Sequence, residues 1–457
     1  MTTKPFSQLP LSSSLLDNLE SMGYRSMTDI QAESLPHTLA GRDIIAKAKT
    51  GSGKTAAFSL VFLNKINPKN FAVQALVICP TRELGAQVAE ETRRLARQIP
   101  NIKVLTLCGG QPIGPQIGSL EFGAHVVVGT PGRLKDHLRK QTLKIDQVNT
   151  FVLDEADRML DMGFIDDIKT IASQIPANRQ TLLFSATYPD DIKVLSARFQ
   201  VDPVMVEVES LHASHRIEQY FYRCEQGKKT DALTGVLARH RPGHAVVFCN
   251  TKATCAEVQQ HLGDSGCRAL LLQGDMEQRD RDRTLVRFSH RSVSMLVATD
   301  VAARGIDIKD LDAVVNYDLP KDTDVYTHRI GRTGRAGRQG MAINLMTERD
   351  NWRYEGIIRE MNPVVLDAGQ LSGNRYSPAA PAMVTIGIDA GKKQKLRPTD
   401  ILGALTGTIG LSGDDVGKIS IFPFVSYVAV KRGVARQALQ GLQNGKIKGR
   451  TYKVRRY

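Results

Sequence analysis

No stretch of the chain approaches the ~18 uninterrupted apolar residues that a membrane-spanning helix needs. The opening residues Met1-Thr2-Thr3-Lys4-Pro5-Phe6 contain no hydrophobic secretion segment. The expected setting is therefore cytoplasmic, with no membrane partner. The six cysteines, Cys79, Cys108, Cys224, Cys249, Cys255 and Cys267, include no C-x-x-C pair, and several lie inside apolar runs. Buried reduced thiols are expected rather than metal ligands. Short-period repeats and low-complexity tracts are also lacking. What remains is 457 residues of ordinary globular composition, 42% hydrophobic and 24% charged, too long for a single core and suited to two or three domains.

Negative charge is scarce in one place. From Val384 to Tyr457 the sequence carries fourteen Lys or Arg against four Asp, a net +10 out of +14 for the whole chain. Such a local excess is the footprint of a polyanion partner, usually nucleic acid.

Up to about residue 209, short β-branched runs (Ala75 to Cys79, Val104 to Cys108, Val126 to Val128, Phe151 to Leu153, Thr181 to Phe184) alternate with helix-compatible stretches such as Glu83 to Arg97. This alternation predicts a parallel sheet wrapped by helices, with ligand loops at the carboxyl ends of the strands. A second set follows between residues 217 and 366: Ala245 to Phe248, Ala269 to Leu272, Met295 to Ala298, Ala313 to Asn316 and Ala342 to Leu345. Residues 210–216 are the expected hinge, and 367–382, rich in Gly, Ser, Pro and Ala, the expected linker. In residues 383–457, strands are expected over Val384 to Ile388, Gly417 to Ile421, Tyr427 to Val430 and Thr451 to Val454. Helices over Pro398 to Leu405 and Val434 to Leu442 complete a β-α-β-β-α-β order, that of an RNA-recognition motif. The expected fold class is α/β, with a small α+β third domain.

Ala48-Lys49-Thr50-Gly51-Ser52-Gly53-Lys54-Thr55 follows the apolar run Ile44-Ile45-Ala46 and precedes another from Ala56 to Phe62. It reads as a phosphate-binding loop, with Ala48 where the strict pattern has Gly. In such a loop, backbone N–H groups turn onto a polyphosphate, Lys54 neutralises its terminal oxygens and Thr55 reaches Mg²⁺. Just past Phe151-Val152-Leu153 come Asp154-Glu155-Ala156-Asp157. A carboxylate there can hold Mg²⁺, assigned to Asp154, while the next orients the attacking water, assigned to Glu155.

Together these residues make the chain resemble the DEAD-box RNA helicases, whose name spells Asp154-Glu155-Ala156-Asp157. The other motifs occur in family order. The resemblance implies two tandem RecA-like domains that bind ATP and Mg²⁺. It implies that Gln31, within Thr28-Asp29-Ile30-Gln31, bonds the adenine edge, and that the upstream aromatic Phe6 stacks on the base. Ala48 is usual in the family, and Asp29 stands where proline is common.

Further matches imply RNA contacts: Pro80-Thr81-Arg82-Glu83-Leu84, Gly109-Gly110 and Thr130-Pro131-Gly132-Arg133 in the first domain resemble the family's RNA-backbone motifs. Each offers hydroxyls, N–H groups or a guanidinium to phosphates without reading bases. In the second domain, Asn250-Thr251, Gln278 with Arg281, and Thr299 are the counterparts, and Gln273 stands where many relatives have His. Ser185-Ala186-Thr187 is expected to bond in the Asp157 neighbourhood, and His328 to couple the RNA and ATP sites. Gly305 and Asp307 match the ribose-binding segment. Arg332 and Arg335, three residues apart on a helical turn, would project from one face toward a γ-phosphate.

In the tail, the sheet positions expected to be aromatic hold Thr385 and Val425, and only Tyr427 fits. Recognition is therefore expected through Lys392, Lys393, Lys395 and Arg397, and through Lys446, Lys448 and Arg450 with Arg455 and Arg456, beside Tyr427. The phrase from Asp389-Ala390-Gly391-Lys392-Lys393 through Arg397-Pro398 to Gly403-Ala404-Leu405-Thr406-Gly407 resembles the tail of a bacterial branch of this family. That implies a hairpin of large-subunit (23S) ribosomal RNA near the peptidyl-transferase centre, pre-ribosomal particles and large-subunit assembly, by a chain acting as a monomer. An ATP-gated RNA clamp without unwinding, or a DNA helicase, are the alternatives.

Overall fold

The computed structural model describes residues 4–48, 52–188, 190–208, 217–303, 311–334, 339–358, 365–371, 376 and 380–457. The chain forms two compact units that divide at about residue 211. The expected hinge, residues 210–216, lies outside the described residues.

The first unit is built on seven strands: β1 (Ile44–Lys47), β2 (Ala75–Ile78), β3 (Val104–Leu107), β4 (Val126–Gly129), β5 (Thr150–Asp154), β6 (Gln180–Ser185) and β7 (Val204–Glu207). All neighbours are parallel, in the order β3-β4-β2-β5-β6-β1-β7. Helices cover both faces, so β2, β4, β5 and β6 are buried at every position and read as continuous runs rather than alternating ones. The strand order sorts the carboxyl-end loops. β5, β6 and β1 are neighbours, which brings Asp154, Ser185 and the phosphate loop together, while β3, β4 and β2 group Gly109-Gly110, Thr130 to Arg133 and Thr81-Arg82.

The second unit repeats the design with β8 (Ile217–Arg223), β9 (Ala245–Cys249), β10 (Ala269–Leu272), β11 (Met295–Thr299), β12 (Ala313–Asn316), β13 (Gly340–Met346) and β14 (Val365–Asp367). These are parallel throughout, in the order β10-β11-β9-β12-β13-β8-β14. The segment expected as a linker is partly packed into this domain. β14 ends at Asp367, and Ala368, Leu371 and Tyr376 are buried in its core.

The same unit carries the tail, an antiparallel sheet of β15 (Met383–Ile388), β16 (Val416–Ile421), β17 (Ser426–Lys431) and β18 (Val454–Arg456), ordered β16-β17-β15-β18. Its helices Pro398–Gly403 and Ala435–Asn444 cover one face, over a core that includes Ile386, Ile388, Ile401, Leu405, Val428, Val430 and Leu442. The last strand starts later than the sequence suggests, because Val454 is its inward residue and pairs with Ile388. All six cysteines are buried and free. Among the described residues no helix is long and apolar enough to cross a membrane.

Candidate nucleotide site and RNA-facing surfaces

Gly53 caps the helix Lys54–Lys65 at φ 96°, a left-handed conformation that suits glycine. A side chain there would also strike Gln31 and Thr28. Gln31 is tied into the loop: its Nε2 donates to the Gly53 carbonyl at 3.0 Å, and its Oε1 accepts from the Thr28 N–H at 2.9 Å. The residue assigned to the adenine edge thus touches the phosphate loop directly. Lys54 is buried, with Nζ donating to the Ala48 carbonyl at 2.8 Å, and Thr55 is half-buried beside it. Thr50 and Gly51 lie outside the described residues. Phe6 is buried in the domain core, its ring edge-on to Tyr24 at 6.2 Å, rather than projecting as a free platform.

Two buried polar atoms around this loop have no partner among the described residues: Ser52 Oγ and Asp154 Oδ1. Asp154 is 3% exposed. Burial pushes its carboxyl up to about 7, against the pull of Lys54 and with the repulsion of Glu155. Glu155, also buried, adopts φ 56°, a left-handed conformation that costs a non-glycine residue roughly 1 kcal/mol or more. It is held there by Arg158, whose Nη1 donates to Oε2 at 2.8 Å. Sequence reasoning passed over Arg158, although its i,i+3 spacing from Glu155 was visible. Asp157 performs the expected bonding. Its Oδ2 accepts from the N–H groups of Ala186 (3.1 Å) and Thr187 (3.0 Å) and from Thr187 Oγ1 (3.1 Å), while its own N–H donates to Ser185 Oγ at 3.3 Å.

On the other half of the first sheet, Thr81 caps the helix Arg82–Leu95 by accepting from the Leu84 N–H. The Arg82 guanidinium lies over Gly109 and Gly110, so close that a Cβ at Gly110, which has φ 73°, would collide with it. Arg133 donates to Gln116 Oε1 and the Gln111 carbonyl, both at 3.0 Å, beside Thr130, Pro131 and the open Gly132. Three segments that are remote in sequence thus share one surface.

In the second unit the organising residue is Arg329, 2% exposed. It holds Asp300 through Nε and Nη2 at 2.6 Å each, and reaches Asn316 Oδ1, the Asp318 carbonyl and Asn250 Oδ1. Asn250 is therefore positioned from within. Its backbone N–H also bonds Asp318, and Thr251 caps the next helix through the Thr254 N–H. The sequence analysis singles out neither Arg329 nor Asp300, because a buried guanidinium that ties several loops together has no signature of its own in the sequence. Arg281, expected on RNA, is buried with Nη2 on the Ala302 carbonyl at 2.6 Å, so it shapes the loop after Thr299. Gln278 bonds Asp282, and His328 is half-buried on the helix Thr323–Ile330. Arg332 follows that helix in a tight turn (Arg332 N–H to the Arg329 carbonyl, 3.2 Å) and is buried rather than projecting. Arg335, Gly305 and Asp307 lie outside the described residues.

The tail brings its two basic segments together. Lys448 Nζ donates to the Lys395 carbonyl at 3.0 Å, and Lys392, Lys393, Arg397, Lys446 and Arg450 are exposed around it. The N–H groups of Lys392 and Lys393 bond the carbonyls of Phe422 and Pro423, next to Phe424, an aromatic ring 67% exposed. Tyr427 is a correction. It is 3% exposed, because the sheet face that carries it packs on the second helicase domain. Across that seam His290 Nε2 meets Ser420 Oγ at 3.0 Å, Thr385 Oγ1 meets Ser292 Oγ at 2.8 Å, and Arg283 lies over the Tyr457 ring. Tyr457 in turn packs against Tyr427.

A phosphate cradle with a buried carboxylate, a parallel-sheet partner domain and a basic antiparallel appendage define an ATP-driven nucleic-acid motor core with its own binding domain. The chain belongs to the DEAD-box family of ATP-dependent RNA helicases: residues 28–195 match the DEAD/DEAH box helicase family, 228–337 the helicase conserved C-terminal domain, and 385–456 the DbpA RNA binding domain. It is 53% identical to the ATP-dependent RNA helicase DbpA of Escherichia coli over 96% of both chains. It is 45% identical to the DEAD-box ATP-dependent RNA helicase CshA of Bacillus cereus over 79% of this chain and 68% of that one. Among solved structures it resembles S. cerevisiae Dbp5 bound to RNA and ADP BeF3, at 31% identity and TM-score 0.73, over 80% of this chain and 96% of the other.

Proposed function

We propose that this RNA helicase is directed by its tail to a hairpin of large-subunit (23S) ribosomal RNA and serves assembly of that subunit, acting on pre-ribosomal particles as a cytoplasmic monomer. The observation that carries the reading is the tail's joined basic surface, Lys392 to Arg397 against Lys446 to Arg450, on a domain that matches the DbpA RNA binding domain.

In this reading the first unit holds ATP. Lys54 exchanges the Ala48 carbonyl for phosphate oxygens, and Gln31 senses both the base and the loop. The orphaned Asp154 Oδ1 and the neighbouring Thr55 hydroxyl fit Mg²⁺, an ion that would screen charge on the phosphates. Glu155, released from Arg158, orients the attacking water. Arg332 and Arg335 act from the second unit, so turnover needs the units to close, and both ATP and RNA favour the closed state. A closed pair that prefers a bent strand opens a short duplex locally, and phosphate loss reopens it.

The test compares RNA-stimulated ATP hydrolysis with 23S fragments and unrelated RNA, using the full chain and one lacking residues 384–457. The full chain should require far less of the ribosomal fragment for half-maximal stimulation, and the truncated chain should treat both RNAs alike. Equal stimulation of the full chain by both RNAs would refute the targeting.

A further inference from the structure

Where the tail packs on the second helicase domain, the seam does not close completely. It leaves a cleft of about 700 Å³, open to solvent. One wall comes from the helicase domain, with Arg268 just before β10, Arg287 on the helix Gln278–Ser289, and the run Ser292 to Ser294. The other comes from the tail, with Met383 and Val384, Arg432, Arg456 and Tyr457. Four of the fourteen lining residues are arginines, and none is Asp or Glu. Two cations elsewhere on the tail are answered differently: Arg455 pairs with Asp389 and Lys431 with Asp415.

The arginines differ in how far they are committed. Arg432 Nε donates to the Pro381 carbonyl at 2.6 Å and so fastens the tail's entry strand. Arg287 Nε is buried with no hydrogen-bond partner among the described residues. Burial and the neighbouring guanidiniums of Arg283 and Arg268 push the Arg287 pKa below its ordinary value. Arg283 is answered by Asp280, but the cleft lining offers Arg268 and Arg287 no Asp or Glu, and a bound anion relieves the repulsion between such neighbouring guanidiniums. Because the cleft is an open trough rather than a closed cavity, it suits a chain of phosphates better than a single enclosed ion.

We infer that this cleft is a second RNA-binding site of the protein, taking backbone phosphates through Arg268, Arg287 and Arg456. It is distinct from the basic loops around Lys395 and Lys448. RNA held by the tail continues across the seam onto the helicase domain, so the docked tail and β10–β11 edge form one electrostatic track. Such contacts position a strand without reading its bases. The covered sheet face then has a purpose: it builds the cleft instead of stacking bases. The inference rests on the reading that the tail is the RNA-targeting domain.

The test is equilibrium binding of a fluorescein-labelled 23S fragment and of labelled oligo-uridine to the full chain, followed by fluorescence anisotropy across a salt titration. Each lost phosphate contact lowers the slope of log K against log[salt] by roughly 0.7 to 0.9. The Arg268→Gln/Arg456→Gln variant should therefore lower the slope by roughly 1.4 to 1.8 on both RNAs, while Arg268→Lys/Arg456→Lys keeps it. An unchanged slope in a double Gln variant whose melting temperature matches wild type overturns the site. If the double variant does not fold, Arg268→Gln alone decides, with about half the change expected and no change overturning it. Sodium tripolyphosphate separates the sources of phosphate: arginine-dependent calorimetric binding of tripolyphosphate with an unaltered RNA slope overturns RNA as the occupant. Failure of targeting would show separately, as equal wild-type affinity for both RNAs, and leaves the slope comparison intact.

Discussion

Asp154 concentrates the electrostatic cost of the nucleotide site. Its ordinary value is 3.8, and burial lifts it to about 7 in the folded protein. A carboxyl whose folded pKa lies above its unfolded one stabilises the fold while protonated. That contribution is complete below about pH 4 and is lost as pH rises to about 7, after which the buried charge is carried in full. Asp154→Asn imitates the protonated form. Without nucleotide or divalent ions, the variant should be more stable than wild type at pH 8, and that advantage should shrink at pH 5 by something on the order of 2 kcal/mol. Thermal melts at the two pH values check this, and a difference that does not vary with pH would sink it. Glu155 carries its charge differently: in a left-handed backbone conformation, its carboxylate is paired with the buried Arg158.

At the scale of elements, two aromatics of the β16–β17 hairpin region separate structure from recognition. Tyr427 lies under the second helicase domain with Tyr457 and Phe422, whereas Phe424 stands out in solvent beside the Lys392-Lys393 turn. Tyr427→Ala should destabilise the protein by about 3 kcal/mol, as truncation of a buried ring does, and leave RNA affinity of the folded fraction close to wild type. Phe424→Ala should leave the melting temperature unchanged and weaken binding of a 23S hairpin by about 1–3 kcal/mol if a base stacks on it. Paired melts and anisotropy titrations decide, and the opposite assignment of effects would reverse both roles. The contrast also shows what the sequence could and could not say. Continuous apolar runs made the parallel strands legible and put the motifs at their carboxyl ends, whereas the strand order that groups those ends is visible only in the structure. The motif order placed Thr385, Val425 and Tyr427 at the sheet positions where an aromatic is expected. It carried no information on whether that face meets water, RNA or another domain, because a covered polar face and a free one have the same period. Arg281 shows a related limit: a long cation beside phosphate-binding loops looks the same in sequence whether its guanidinium reaches a ligand or a carbonyl such as that of Ala302.

Across the whole molecule, the residues assigned to ATP chemistry are divided between two compact units, with Lys54, Asp154 and Glu155 in the first and Arg332 in the second. If hydrolysis depends on closure, binding and turnover must separate by mutation. Lys54→Ala removes the buried ammonium of the phosphate loop and should abolish both nucleotide binding and RNA-stimulated turnover. Arg332→Ala should leave nucleotide affinity within a few-fold of wild type, since the first unit keeps its loop, while turnover falls by about 10³ or more, the scale of an arginine finger. Arg332 is itself buried, so a loss of turnover could also come from a damaged second unit. Arg332→Lys keeps the charge but not the planar fork, and should retain the wild-type melting temperature while still losing most RNA-stimulated hydrolysis. A titration with a fluorescent ADP analogue, beside a phosphate-release assay at saturating RNA, reads both quantities. A stable Arg332→Lys variant that hydrolyses ATP at the wild-type rate would show that the guanidinium does not act on the phosphate. Loss of nucleotide binding in Arg332→Ala would show that the site is not divided between the units in the way the chain's order of motifs suggests.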